Sequence, residues 1–316
     1  MKKMINMTHI EGLLYEHALE LKESGPKSKN PGTKFISGTI SIATDDACTN
    51  IVPIHFTYVT ATTSKGSTNA TFTTLTNIID GKFGSIMANG KDNAVKLRID
   101  SALALNEFYS DRNGKEELVS VKRNEGGFVH VMVNEPFNEK EIERCKFKTT
   151  MLITKAVRTE ANPEKETPEK VTISGYAFDF RKALLPVSYT VLNESGMNYF
   201  EGLEASEKNP VLTEVWGKQV SRTVVRKVTK ESSWGDAEVQ EFKNTYKDYV
   251  ITGSQKEPFV FDMEDTYTSE ELTKAIAERE TYLATIKQRR DEYLATKNNS
   301  GTKTTTISNG NAGFNF

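Results

Sequence analysis

From Phe35 onward, polar residues alternate with β-branched and aromatic ones in short runs. The runs at 35–44, 50–62, 69–79, 93–105, 117–123 and 127–133 are separated by turn-forming clusters such as TDDACTN, DGKFG and ANGKDN. Several short strands at close spacing predict a small barrel or sandwich. A second block has the same texture at 147–157, 171–180, 184–192, 197–203, 211–229 and 239–253, with the solvated loop RTEANPEKETPEK between its first two runs. The flanks read differently. Ile10, Leu13, Leu14 and Leu21 stand at helical spacing and predict a short helix over 7–22, ended by Gly25-Pro26. Thr268 with Glu271 forms a T-x-x-E capping box, and Leu272, Ile276, Leu283, Ile286, Tyr293 and Leu294 continue a long helix over about 268–297. Arg279 and Arg290 interrupt its narrow apolar stripe, which leaves open both docking on a module and weak self-pairing.

These patterns divide the chain into an N-terminal helix and basic arm (1–33), two β modules (34–145 and 146–253) and a C-terminal helix with a polar tail expected to be disordered (254–316). One short match hints at a repeat: Ile36-Ser37-Gly38 in the first block and Ile173-Ser174-Gly175 in the second. A strand that bends to serve both sheets of a small barrel often needs glycine at the bend, so the match fits one fold used twice.

Composition narrows the class. The length of 316 residues is about twice that of a common single domain. No apolar run reaches the roughly 20 residues that cross a bilayer, and the first residues lack the apolar core and cleavage site of a secretory signal. A cytoplasmic protein is expected. Cys48 and Cys145 stand far apart with no CxxC pair, which reads as two ordinary reduced thiols with no zinc site. The net charge of -2 argues against coating nucleic acid by bulk charge. Its distribution is uneven, however. Residues 24–44 carry Lys27, Lys29 and Lys34 without an acid, and residues 215–230 carry Lys218, Arg222, Arg226, Lys227 and Lys230 without one.

Catalysis needs a positioned base, nucleophile or metal, and the four histidines fall into no HExxH or HxH spacing. Neither a GxSxG elbow nor a P-loop is present, and Asp45-Asp46 and Glu264-Asp265 read as surface turn acids. The chain is therefore expected to be a binding protein, not an enzyme, with no cofactor and no metal. Its best binding signal is a row of constant parity, Trp216, Lys218, Arg222, Arg226 and Lys230, which a strand would place on one face. The interspersed valines and threonines favour strand over helix. A solvated edge strand that uses its charges against aggregation is the plainer reading. Aromatics alternate as well: Phe56 with Tyr58, and Tyr176 with Phe178 and Phe180, while Phe72, Tyr199 and Phe200 add further rings. Most such rings fill a barrel. Tyr58 near Lys65, and Tyr176 and Phe178 near Arg181, would instead suit base stacking with phosphate contacts.

The segments FISGTISIATDDACTNIVPIHFTYVTAT, NEFYSDRNGKEELVSVKRNEGGFVHV and TISGYAFDF with GMNYFEGLEASEKNPVLTEVWGKQVS resemble tandem OB-fold single-stranded DNA-binding proteins of tailed bacteriophages, over about residues 34–253. The resemblance implies a mainly β chain with two five-stranded Greek-key barrels, binding single strands without sequence preference and protecting them during phage replication or recombination. It also implies replication or recombination partners recruited by the C-terminal tail. Many such proteins end in an acidic tail, whereas this one is rich in Thr and Asn and closes on Phe314-Asn315-Phe316. The expected DNA-binding residues are Lys34, Phe56, Tyr58, Lys65, Phe72, Tyr176, Phe178, Arg181, Trp216, Lys218, Arg222 and Arg226. The competing reading is a structural virion protein of the tail or baseplate.

Overall fold

Period-two burial along ten of the twelve β-branched runs, together with the N-terminal segment, produces ten strands, which the computed structural model resolves into two closed barrels. The runs at 69–79 and 197–203, expected as strands, form helices instead, each capped by an asparagine side chain, at Asn69 and Asn193. Residues 4–112, 115–162, 167–230, 238–263 and 266–299 are described; for Arg112, 222–230, 238–246 and 297–299 this extends to the backbone alone.

The first barrel uses β1 (Asn6–Glu23), β2 (Lys34–Ala43), β3 (Ile51–Thr60), β4 (Lys96–Arg112) and β5 (Lys115–Val131), with α1 (Ala70–Ile79) and the short α2 (Ile86–Asn89) between β3 and β4. β1 pairs antiparallel with both β2 and β4, and the barrel closes where β3 meets β5 in parallel at Ile54 and Asn124. The second repeats that plan with β6 (Cys145–Thr159), β7 (Lys170–Phe178), β8 (Leu184–Val191), α3 (Glu194–Gly202), β9 (Val211–Lys230) and β10 (Glu238–Ser254). β6 pairs with β7 and β9, and β8 closes on β10 in parallel at Thr190 and Val250. Both are OB-like Greek-key barrels. Antiparallel rungs from Asn6–Thr149 to Ile10–Cys145 join β1 to β6, so one sheet runs through the two.

The N-terminal segment is thus strand β1, not the expected helix. Thr8, Ile10 and Leu14 are buried at even positions, and the flanking β2, β4 and β6 supply backbone partners that helical spacing cannot reveal. Local propensity was already poor, since Gly12 and Thr8 are weak helix formers. Within the barrels, residues such as Ile10, Leu14, Ile36, Ile40, Ile54 and Phe56 are fully buried, and Leu75 and Ile78 of α1 plug one end. Burying each such side chain is worth about 1.5–3 kcal/mol. Met197 and Phe200 of α3 plug the second barrel in the same way.

The two Ile-Ser-Gly runs occupy different rungs. Gly38 pairs with Leu19, three residues past the β1 bulge at Leu14/Glu16, and sits at a bulge against β3, whereas Gly175 pairs with Ile153 directly at the β6 bulge. Both still serve close backbone approach: an added Cβ would lie 2.0 Å from Ala18 O at Gly38 and 2.0 Å from Leu152 O at Gly175. Topology, not this tripeptide, carries the repeat.

The C-terminal helix is α4 (Ser269–Asn299). Its capping box is formed as expected, Glu271 N–H donating to Thr268 Oγ1 at 3.1 Å and Thr268 N–H to the Glu271 carboxylate at 3.0 Å. Tyr267 and Ala275 cover an apolar patch on the outside of the second barrel made by Leu152, Phe178, Leu184 and Leu212. Beyond that patch α4 meets the β4–β5 hairpin, which projects from the first barrel as an arm. Arg279 grips Glu107 with both terminal guanidinium nitrogens at 2.5 Å, and Arg290 reaches Asp111 at 2.6 Å. The arginines that break the apolar stripe are therefore the docking contacts.

Candidate nucleic-acid interface

Along β9 the odd positions Thr213, Val215 and Gln219 are buried, and the even positions Trp216 and Lys218 face outward. Trp216 is 40% exposed, and its ring lies against Gly253, where a Cβ would come within 2.4 Å of the indole nitrogen. Lys148 and Lys146 of β6 are the cross-strand partners of Trp216 and Lys218, so a ring and three lysines share one face. Lys148 is held by Glu214 at 2.9 Å and Lys146 by Glu143 at 2.9 Å. Lys218 also borders an inter-barrel cleft of about 230 Å³ lined by Asn50, Cys145 and Gln219. Arg222 and Arg226 lie in the continuous strand β9, opposite Tyr246 and Phe242; their side chains fall outside the described residues.

The first barrel holds a second cluster. Tyr58 is 48% exposed, its ring centroid 4.5 Å from that of Phe35 and its hydroxyl 3.2 Å from Ser24 Oγ. Lys34 is exposed at the start of β2, beside Phe35, and Lys65 is exposed in the loop that follows β3. Phe56, two residues before Tyr58, is 0% exposed: it lies inside the barrel, and no face of its ring is open to a base. Phe72 is half-buried on α1 and packs on the same core. Phe56 is a correction to the expected site: the pairing with β2 shifts between the Val59–Ile36 and Phe56–Gly38 rungs, and the extra residue in β3 breaks the alternation between Phe56 and Tyr58.

On the second barrel Tyr176 is half-buried and faces a cleft. Phe178 points outward with it but is 0% exposed, because Tyr267 covers it edge-on at 4.9 Å. It too leaves the set of accessible rings. Arg181 is exposed in the β7–β8 turn and stacks 5.0 Å over Phe180, which is 88% exposed.

Sequence reasoning missed Lys122. This lysine sits on the arm of the first barrel, yet its amine donates to Ser188 O at 2.8 Å on β8 and lies 5.1 Å from the Tyr249 ring centre. Burial pushes its pKa below the usual lysine value, an effect that nearby Asp248 partly opposes. A contact to a strand 66 residues away has no local signature. The same applies to the polar bridge between barrels, in which Asn124 donates to Gln219 Oε1 at 3.0 Å and Gln219 donates to the Tyr249 hydroxyl at 2.7 Å. Ser221 N–H donates to Asn50 Oδ1 at 2.6 Å and completes it.

Other groups are structural. Burial raises the Cys145 thiol to about 12, so its reactive thiolate is suppressed. Burial pushes the Asp45 pKa up, but the Thr49 hydroxyl and the Asn50 and Thr49 amides, donating at 2.5, 2.7 and 2.8 Å, outweigh it and hold the carboxyl below the usual range. Asp46 pairs with Arg144 at 2.6 Å. Glu264 and Asp265 lie outside the described residues. Among the described residues no group of His, Cys, Asp and Glu is arranged to hold a metal, and no helix is long and apolar enough to cross a membrane.

The YorF family model matches residues 5–289 of this sequence, spanning both barrels and most of α4. The chain belongs to the YorF family. No curated protein matches it. Among solved structures, this YorF-family chain is similar to the wild-type single-stranded DNA binding protein from Thermus aquaticus, at 8% identity and a TM-score of 0.42, with 81% of this chain and 94% of that one covered. A deletion mutant of the same Thermus aquaticus protein gives 8% identity and a TM-score of 0.43, covering 83% of this chain and 98% of that one.

Proposed function

We propose that this protein binds single-stranded DNA without sequence preference, and that it shields exposed strands during phage replication or recombination. The observation that carries the reading is the outward face where Trp216 and Lys218 of β9 stand beside Lys148 and Lys146 of β6. A flat ring among cations is what a single strand needs, because every base has a π-face and every nucleotide a phosphate. On this reading Trp216, Tyr58 and Tyr176 stack on bases, each worth ~1–3 kcal/mol. Lys34, Lys65, Arg181, Lys218, Arg222 and Arg226 hold phosphates. Phe56 and Phe178 keep structural roles as buried packing. Recruitment of replication or recombination proteins by the tail around Phe314 and Phe316 concerns residues outside those described.

Filter binding of a labelled poly-dT oligomer across a salt titration tests the proposal. Affinity should fall with a log–log slope of about -0.7 per phosphate contacted. Trp216→Ala should weaken binding by roughly 5- to 150-fold, the effect of one lost stack. Arg222→Ala with Arg226→Ala should weaken all sequences alike and flatten the slope. A flat salt response, or tighter binding of duplex, would refute the reading.

A further inference from the structure

We infer that the cleft between β7, β8 and the arm of the first barrel is a subsite for one extruded base, a deepening that rests on the single-strand reading. The cleft has walls from both barrels. Ser174, Tyr176, Pro186 and Ser188 come from the second, and Ser120 and Lys122 from the arm. Its volume of about 380 Å³ stands near the lower end of the ~300–1,000 Å³ usual for small-ligand clefts, which suits one base better than a larger ligand.

The chemistry of its walls matches a base of any identity. Tyr176 and Pro186 are direct cross-strand partners, so a ring and a pyrrolidine form one apolar slab on which a base can lie. On the next rung Ser174 and Ser188 face each other with hydroxyl oxygens 2.9 Å apart. A serine hydroxyl both donates and accepts, so this edge can answer either kind of group on a base and does not select a sequence. The Lys122 ammonium uses one of its three donors on Ser188 O, leaving others for a carbonyl or ring nitrogen.

The arm is held in place over this cleft before any ligand arrives. Leu103 at its root packs into the core of the second barrel, and the Asn6 side-chain amide donates to Leu103 O at 2.9 Å. Glu107, the cross-strand partner of Ser120, is gripped by Arg279 of α4. The site is therefore preorganised, which lowers the ordering cost of binding.

The test uses the full chain and a labelled poly-dT oligomer. Ser120→Trp fills the cleft from an exposed arm position, and Tyr176→Ala removes its ring; each is checked for an unchanged thermal midpoint. Both should weaken binding by roughly 5- to 150-fold with the salt slope unchanged, because a base and no phosphate is displaced. Tyr176→Phe should restore wild-type affinity. If Ser120→Trp and Tyr176→Ala bind as tightly as wild type while Trp216→Ala is weakened, the subsite is wrong and the single-strand reading stands. Losses accompanied by a flatter salt slope would assign these residues to phosphate contact and also overturn it. A wild-type protein that retains no oligomer at any salt would remove both.

Discussion

Replacing Arg279 with leucine should free α4 from the arm. The pair it breaks is nearly sealed: the Glu107 side chain is 1% exposed and that of Arg279 13%. Two parallel contacts at 2.5 Å join them, in the fork geometry that makes arginine–carboxylate pairs strong. Removing the cation leaves a carboxylate desolvated with no counter-charge, and breaking a buried pair in this manner costs about 3–5 kcal/mol. The protein has a way to limit that loss, since undocking of the distal part of α4 rehydrates Glu107 while both barrels stay folded. The loss should therefore appear locally, as a rise of roughly 150- to 5,000-fold in the opening equilibrium of α4 and the arm. Hydrogen exchange followed by mass spectrometry reads this directly: amides of 276–296, 105–111 and 116–121 should lose protection while those of β2, β3, β7 and β8 keep theirs. Adding Glu107→Leu should recover most of the protection, because an apolar pair of similar volume is often neutral in place of a buried ion pair. Unchanged exchange in Arg279→Leu would mean that α4 is held by the Tyr267–Ala275 patch and the outer pairs alone.

Alkaline pH should destabilise the fold through its buried tyrosines. Burial raises Tyr267 to about 12, and Tyr189 and Tyr249 are shifted upward as well. Their contribution is fully present below the ordinary tyrosine pKa near 10 and is lost as pH rises from there, at up to about 1.4 kcal/mol per pH unit for each. Lys122 has the opposite sign: its lowered pKa means that stability grows as pH climbs through the folded value toward 10.5. Urea midpoints between pH 8 and 11 should pass through a maximum, Lys122→Met should remove the rise, and Tyr249→Phe should soften the fall; a monotonic profile in all three proteins would contradict these assignments. Gly175→Ala places a methyl 2.0 Å from Leu152 O and should cost ~1–3 kcal/mol by forcing β6 and β7 apart. A urea midpoint equal to wild type would show that the strands yield freely there.

Ten of the twelve β runs, the capping box at Thr268 and the outward parity of Trp216 with Lys218 were legible from residue pattern, because each depends on neighbours within a few positions. Six features were not. The runs at 69–79 and 197–203 read as strands but form α1 and α3, which plug the barrel ends. Residues 7–22 carry helical spacing yet form β1, since three strands from elsewhere in the chain compete for its backbone. Phe56 and Tyr58 share parity in the sequence, but a β-bulge between the Phe56 and Val59 rungs breaks the alternation and leaves Tyr58 exposed. Phe178 faces outward and is nonetheless sealed, by a tyrosine 89 positions later. Arg279 and Arg290 look like flaws in an apolar stripe until Glu107 and Asp111 are brought against them. Lys122 gains its place by reaching a different barrel from the one its strand builds. Periodicity states which side of an element avoids water on average. Which surface comes to rest on that side is set by packing between segments far apart in the chain, so accessibility of the rings and cations belongs to the assembled fold.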